Sequence, residues 1–534
     1  MTRDALSTVS TRATSQREAA TPEQVQNSAG GFTFEITDRV RLNRFLVLGS
    51  DGATYYASPR DLTKDNAEVV LRMAVSDGIT LVNDIVSVSE AGRAPKANPA
   101  LFALAIAASH GNDETRKAAL DALPRVARIG THLFIFTRYV EQFRGWGRGL
   151  RRAVAKWYER DTDDVTFQVL KYRQREGWSH RDLLRLSHPN ATGGYPKEVL
   201  FEWICGRPTD GSRPYMLDGF IKAQEVGADI PALIREYGLT WEMLPDEALG
   251  KVGTWDALLD KGMPQTALMR QLPRLTNLGM LPASGGRTAE VAAQLQDAAK
   301  LKRARVHPIN VLIAQRTYAS GQSARGSGEW KPSRKIVDAL DAGFYAAFGA
   351  VEPTGKRTLL ALDVSGSMSF SNISNMPITP REASAALALV TANVEKDYAI
   401  VGFTSSNGRA SRMNTGLSEL DISPRQRLDD VIRTVSNLNF GGTDCALPWV
   451  VAKQEGWKID TCVTYTDNET WAGRIHPHQA LTAYRRASGI PARAVVCGMT
   501  STGFSVADPK DAGSMDIAGF DSAVPGLISD FARG

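Results

Sequence analysis

The sequence predicts an α + α/β protein, a helical-repeat domain followed by a doubly wound α/β domain, and three observations carry that reading. Short amphipathic segments fill 63–351 with almost no strand-like alternation. Beyond Val351 apolar strand candidates alternate with helices. Between the two regimes lies Glu352-Pro353-Thr354-Gly355-Lys356, whose proline and glycine suit a joint rather than an element. A chain of 534 residues is also too long for a single hydrophobic core.

Taken in order, the first part reads as helices over 66–75, 98–109, 113–126, 131–142, 163–176, 264–275, 288–303, 310–319 and 334–348. No strict sequence period is visible, so the repeat is structural, of the paired-helix kind that stacks into a solenoid; an irregular helical domain is the alternative. In the second part, strands at 358–363, 398–403, 461–466 and 494–497 alternate with helices at 383–394, 425–436, 480–487 and 523–531. That order implies a mostly parallel sheet covered on both faces, with its ligand site beyond the carboxyl ends of the strands.

The first thirty residues are polar, mix both charges and lack the apolar core of a signal peptide; residues 1–26 are expected as a disordered tail. Apolar runs such as 100–108 are about half the length a membrane-crossing helix needs. The expectation is a soluble cytoplasmic protein with no membrane partner. Cys205, Cys445, Cys462 and Cys497 stand singly in apolar surroundings, as reduced core residues do.

A net charge of +5 does not by itself argue for nucleic acid, but basic residues are unevenly placed. Segment 128–160 holds eight basic and two acidic residues, and 300–335 holds nine and one. Gathered on one surface they would form an electrostatic footprint for RNA; dispersed, they are solvated helix faces.

The first strand of the second domain, Thr358-Leu-Leu-Ala-Leu-Asp363, runs into Val364-Ser365-Gly366-Ser367-Met368, a D-x-S-x-S sequence at a strand's carboxyl end. One carboxylate and two hydroxyls at alternating positions supply hard oxygen donors of the kind Mg²⁺ prefers. The strand at 461–466 ends in Asp467, and Phe440-Gly441-Gly442-Thr443-Asp444 offers a third hydroxyl at a loop-to-helix junction. D-x-S-x-S alone is a weak signal, common in turns and N-caps. The three-part pattern resembles the metal-ion-dependent adhesion site of von Willebrand factor A domains. That resemblance implies that Ser365, Ser367 and Thr443 coordinate a divalent metal, Mg²⁺, directly, while Asp363 and Asp467 act directly or through water. It also implies an open position for an acidic group from a partner.

In the first domain, Lys171 and Arg175 are spaced i, i+4 and are expected on one face of the 163–176 helix. Gly177 breaks that helix, Ser179 with Asp182 reads as a capping box for the next, and His188 closes it before Pro189. Two cations and a histidine at a helix junction can meet phosphates and a base edge. A capped helix hairpin with solvated charges is the plain alternative.

This segment is closely similar to that of the Ro autoantigen family. So are Asn27-Ser-Ala-Gly-Gly-Phe-Thr, Arg41-Leu-Asn-Arg-Phe-Leu, Gly52-Ala-Thr-Tyr-Tyr56, Arg305-Val-His-Pro, Val351-Glu-Pro-Thr-Gly-Lys-Arg357, Gly441-Gly-Thr-Asp-Cys and Thr466-Asp-Asn-Glu-Thr-Trp. The resemblance runs from about residue 27 to the end and implies a TROVE domain over 27–354, a closed ring of HEAT-like repeats, then a von Willebrand factor A domain over 355–534. It further implies a non-catalytic, monomeric RNA-binding protein of a ribonucleoprotein. Y RNA would lie on the outer ring surface, at Lys171, Arg175 and His188, and 3′ single-stranded ends of misfolded non-coding RNA would enter the hole. Bacterial members resemble adaptors for RNA quality control that present RNA to a 3′ exoribonuclease such as polynucleotide phosphorylase. Two rivals remain: a metal-dependent adhesion scaffold whose RNA binding is incidental, and a metal-dependent hydrolase. Against the hydrolase, the sequence holds no H-E-x-x-H, G-x-S-x-G or P-loop.

Overall fold

The computed structural model describes residues 13–49, 59–175, 177–191, 194–209, 212–323, 327–349, 351–370, 372–373, 378–405, 416–424, 426–438 and 441–534. The Gly52-Ala-Thr-Tyr-Tyr56 motif, Arg425 and Phe440 lie outside the described residues.

From Pro59 to Ala346 the described chain is almost wholly helical. Asn98–His110 is buried nearly all round, because Pro59–Ser76, Asp113–Val126 and Gly130–Phe143 pack about it; Leu101, Ala103, Leu104 and Ala105 are fully enclosed. Two expected helices differ in extent. The 288–303 helix divides into Thr288–Leu295 and Ala298–Arg303, since the Asp297 carboxylate accepts from the Lys300 N–H at 3.0 Å and starts a new helix. The 163–176 helix ends at Lys171.

The expected tail is also different, because from residue 13 onward it is docked on the second domain. Gln16 is fully buried, strand β1 (Gln24–Gln26) pairs antiparallel with β2 (Phe32–Glu35), and Asn27 is enclosed between them. Nothing in the polar composition signalled this, since the segment is held by hydrogen bonds and not by an apolar face. In the helical domain a two-residue ladder, β3 (Gln174–Arg175) with β4 (Trp178–Ser179), flanks Gly177, whose φ of 81° suits glycine.

The helical chain closes on itself. The Asn310 Nδ2 donates to the Pro95 carbonyl at 3.3 Å, and a side chain at Gly92 would meet Arg305 Cβ at 2.8 Å, so residues 305–310 lie against 92–95. A loop of the second domain fastens both sides of this seam. Arg93 Nε donates to Asp521 at 2.7 Å, the Ser522 N–H to the Arg93 carbonyl at 3.3 Å, and His307 Nε2 to the Phe520 carbonyl at 2.7 Å. The seam therefore depends on the domain that follows it.

That domain is built on strands β5 (Thr358–Asp363), β6 (Tyr398–Phe403), β7 (Leu417–Glu419), β8 (Thr461–Thr466), β9 (Arg493–Gly498) and β11 (Ser514–Ala518). Their order is β11-β9-β8-β5-β6-β7, parallel throughout except for β7 at the edge. On β5, Leu360 and Leu362 enter one core with Ala385, Leu389 and Ile528, while Leu359 and Ala361 enter the other with Trp449 and Tyr484. Helices thus cover both faces, which is why the strand sequence is apolar without alternation. A short strand β10 (Phe504–Ser505) pairs with β2, making the amino-terminal segment part of a second sheet on this domain.

Arg44 is a fully buried charged link between the domains. It is 1 % exposed, donates to the carbonyls of Thr502 at 3.0 Å and Phe504 at 2.8 Å, and pairs with Asp516. Breaking one side of such a buried pair costs about 3–5 kcal/mol, because the partner charge is stranded. Arg44→Leu should therefore lower the melting temperature well below that of the parent, and Arg44→Leu with Asp516→Leu should recover much of the loss. Calorimetric melting that places the single variant level with the parent would refute this account of the interface.

Candidate functional site

Strand order reverses at β5 and β8: β6 lies to one side of β5, while β9 and β11 lie beyond β8. The crevice beyond their carboxyl ends is the place where open α/β sheets bind ligands. Asp363 ends β5 and Asp467 follows β8, so both carboxylates reach this crevice from adjacent strands.

Asp363 is completely buried; its Oδ1 accepts the Ser365 N–H at 2.9 Å and its Oδ2 the Thr466 hydroxyl at 2.7 Å. The Ser365 and Ser367 hydroxyls stand 3.0 Å apart, on the turn entering the short helix Ser367–Phe370. Asp467 is anchored through Oδ1, which accepts the Glu469 N–H at 3.0 Å, while its buried Oδ2 has no hydrogen-bond partner. The buried Thr443 hydroxyl also has none. Thr443 is held in place by its carbonyl, which accepts the N–H groups of Trp471 at 3.1 Å and Ala472 at 3.0 Å. Nearby, the Cys445 N–H donates to the Thr470 hydroxyl at 3.0 Å. The structure thus brings the Thr443 loop against the segment that follows Asp467. Asn468, with φ of 68°, makes the turn there and accepts the Val506 N–H at 3.0 Å.

Burial pushes the Asp363 carboxyl up, and burial together with the Asp363 charge pushes Asp467 up to about 7, opposed by the Ser367 hydroxyl. Burial and the neighbouring Asp467 push Glu469 up to about 8. The Arg381 guanidinium, itself buried, donates to the Val364 carbonyl behind the loop. Buried acidic oxygens crowded together, with a carboxylate oxygen and a hydroxyl left unpaired, are the donor set a small hard cation would satisfy. Among the described residues there is no group of three or more His, Cys, Asp or Glu side chains placed to hold a metal. The hydroxyls of Ser365, Ser367 and Thr443 are the further hard-oxygen donors that this crevice could offer an ion beside the two aspartates.

The three RNA-facing candidates lie apart from this crevice, on successive elements of the helical domain. Lys171 ends the helix Thr162–Lys171, with its ammonium 3.5 Å from Glu242 and 5.2 Å from the Phe167 ring, and its side chain is 10 % exposed. Arg175 is exposed, but on β3 and not on a helix, so the expected shared helix face does not form. The chain leaves the helix at Tyr172 to make the β3–β4 ladder, where Trp178 packs 5.7 Å from Trp146. His188 is exposed at the end of His180–Ser187, with φ of 49°, and the Ser179–Asp182 capping box opens that helix. His180 is a core residue whose Nδ1 shares a hydrogen bond of 2.7 Å with the Tyr158 hydroxyl; burial pushes it down to about 4. The basic segment 128–160 resolves into a surface: Arg148, Arg151, Arg152 and Lys156 are all exposed on the helix Arg148–Tyr158, which contains no acidic residue.

A family profile described as the Ro60 vWA domain matches residues 357–532, and one described as the TROVE domain matches 25–210 and 236–317. The chain belongs to the Ro60 family. Similar relatives within the Ro60 family include the RNA-binding protein RO60 of Deinococcus radiodurans, 40 % identical over 97 % of each chain. The RNA-binding protein RO60 of Caenorhabditis elegans is 36 % identical, covering 97 % of this chain and 91 % of that one. The crystal structure of the Deinococcus radiodurans RO (RSR) protein superposes with a TM-score of 0.68 at 39 % identity, covering 93 % of this chain and 100 % of that one. The order of a helical ring and a von Willebrand factor A domain is thereby shared with a Ro60-family crystal structure. No helix among the described residues is long and apolar enough to cross a membrane.

Residues that sequence reasoning passed over include Gln16, buried against Asp444 and Thr470, and Arg44 at the domain interface. Asn27 and Arg44 both sat in family-like motifs, which was a signal, whereas Gln16 stood in a polar run with no pattern of its own. Asp363→Ala should abolish Mg²⁺ binding, measured by isothermal calorimetry, and leave RNA affinity unchanged. Parent-like heats of Mg²⁺ binding in that variant would show that the crevice is not the metal site.

Proposed function

We propose that this chain is a non-catalytic RNA-binding protein of a ribonucleoprotein, acting in cytoplasmic RNA quality control or degradation. Its near full-length likeness to two relatives that carry the name RNA-binding protein is the observation that bears the reading. The exposed basic stripe at Arg148, Arg151, Arg152 and Lys156 supports it, since a helix face of one sign attracts a polyanion. In this reading Y-like RNA lies on the outer ring surface and contacts Arg175, His188 and Lys171, of which Arg175 and His188 are the exposed members. A single-stranded 3′ end of misfolded non-coding RNA enters the ring. The second domain holds Mg²⁺ at Asp363, Ser365, Ser367, Thr443 and Asp467, where the ion would supply positive charge to an acidic group on a partner. A 3′ exoribonuclease such as polynucleotide phosphorylase fits as the protein partner of a monomeric adaptor.

The reading is tested by competition between one RNA hairpin with a 3′ single-stranded overhang and the same hairpin without it. The overhang form should bind tighter by a large factor, because a second contact on one RNA becomes intramolecular. Equal affinities would leave a surface binder of structured RNA that does not use the hole. In the same assay pure protein with Mg²⁺ should leave labelled RNA intact, and cleavage would favour a hydrolase.

Loss of Lys171 and Arg175 together should weaken binding and lower the log–log salt slope by roughly 0.9 per lost phosphate contact, taking the duplex DNA value as a guide. Because Lys171 is already paired with Glu242, Arg175→Ala alone should account for most of the change. An unaltered slope in the double variant would move the site to the basic helix Arg148–Tyr158.

A further inference from the structure

The amino-terminal segment does more than cover the second domain; it ties together the two loops that carry Thr443 and Asp467. Gln16 is fully buried and its side-chain amide uses every hydrogen-bonding position. Its Nε2 donates to Asp444 Oδ1 at 2.7 Å and to the Ile475 carbonyl at 2.9 Å, and its Oε1 accepts from the Thr470 hydroxyl at 2.7 Å and the Gly473 N–H at 3.1 Å. One amide therefore joins the residue after Thr443 to the loop after Asp467. The backbone adds Gln16 N–H to the Gly473 carbonyl at 3.0 Å and Phe32 N–H to the Gln16 carbonyl at 2.8 Å.

Asn27 repeats the arrangement closer to Asp467. Its Nδ2 donates to the Thr470 carbonyl at 2.8 Å, its Oδ1 accepts the Gly31 N–H at 2.8 Å, and the Ala29 N–H donates to Glu469 Oε2 at 3.0 Å. Gly31 presses so close that a side chain there would meet the Thr470 carbonyl at 1.9 Å. Arg17 lies over the Trp471 ring at 4.9 Å, and Trp471 is itself bonded to the Thr443 carbonyl. Thr443 Oγ1 and Asp467 Oδ2 are, with Glu469 Oε1, among the buried side-chain oxygens that remain without a hydrogen-bond partner. The two loops also bond one another directly, through Trp471, Ala472 and Cys445; Gln16 adds a buried bridge between them, and Asn27 braces the loop after Asp467.

We propose that Gln16 and Asn27 are positioning residues for the metal site, so that docking of residues 13–35 and binding of a divalent cation are coupled. The coupling rests on the metal reading of the crevice. By linkage it is reciprocal: a docked segment raises cation affinity, and the cation tightens the segment.

The test combines two measurements on the full chain. Isothermal calorimetry with Mg²⁺ compares the parent with Gln16→Met, which keeps side-chain volume but removes the amide, and with Asn27→Leu. Each variant should bind Mg²⁺ with a dissociation constant raised at least about fivefold, the lower end of ordinary coupling between sites. On the unsubstituted chain, hydrogen–deuterium exchange in peptides covering 13–35 should slow when Mg²⁺ is added, and should not respond to it in Asp363→Ala. A purely structural role would lower melting temperature without making exchange depend on Mg²⁺. Equal Mg²⁺ affinity in parent and folded variants overturns the coupling and leaves the metal site standing, as does exchange indifferent to Mg²⁺ in a parent that binds it. A parent that binds no Mg²⁺ overturns the metal site and the coupling with it. Should either variant fail to fold, the exchange experiment on the parent decides.

Discussion

Removing the Arg44 guanidinium from water requires compensation, and two segments supply it together: the 502–504 stretch through the carbonyls of Thr502 and Phe504, and β11 through the carboxylate of Asp516. Such a charge tolerates no half-formed interface, because any partner withdrawn leaves it stranded. The first long-range consequence is that the helix Asp38–Leu48 is fixed to β11 and to the loop before it. The second is that β2 can extend to β10, so the amino-terminal segment begins its course on the second domain before the chain enters the helices. Close by, where Arg93 also donates to Asn43, Arg93 with Asp521 and His307 with Phe520 fasten the seam of the helical domain to the loop after β11. The two domains are thus consecutive in sequence but interlocked at both ends of the first.

The crevice follows a different constraint. A parallel sheet buried on both faces leaves its polar opportunities to the strand ends, and the reversal between β5 and β8 opens one such place. Asp363 and Asp467 are brought there in full burial, with the Arg381 guanidinium, which donates to the Val364 carbonyl, acting on Asp363 from behind the loop. Burial raises both carboxyls, and the Asp363 charge raises Asp467 further. The Thr443 hydroxyl and Asp467 Oδ2 stand there without a hydrogen-bond partner, on loops that bond one another directly and are braced by Gln16 and Asn27.

Legibility in the sequence varied with the kind of force involved. Asp113–Val126, Thr358–Asp363, Tyr398–Phe403 and Thr461–Thr466 were expected with the bounds the structure has, because apolar periodicity and buried strands are written locally. The Ser179–Asp182 capping box was likewise local and is present. The helix carrying Lys171 was drawn too long because residues 172–175 follow a helical spacing, yet Gly177 and the docking of Trp178 on Trp146 favour a two-residue ladder. The short strands β7, β10 and β11 and the helix Leu447–Gln454 went unread, being too brief or too uniformly apolar to stand out.

By itself the sequence determined the division into a helical part and a doubly wound part, the D-x-S-x-S strand end with its distant threonine and aspartate, and the likeness to the Ro family. These are properties of neighbours along the chain, or of residues placed by one strand or helix period. Only the tertiary structure decided that residues 13–26 are docked and not part of a tail, that Arg175 leaves the helix shared with Lys171, and that the helical domain closes at Asn310 and Pro95. Each of those depends on polar groups meeting across hundreds of residues, and a buried Gln or Arg looks like an exposed one until its partners are in place.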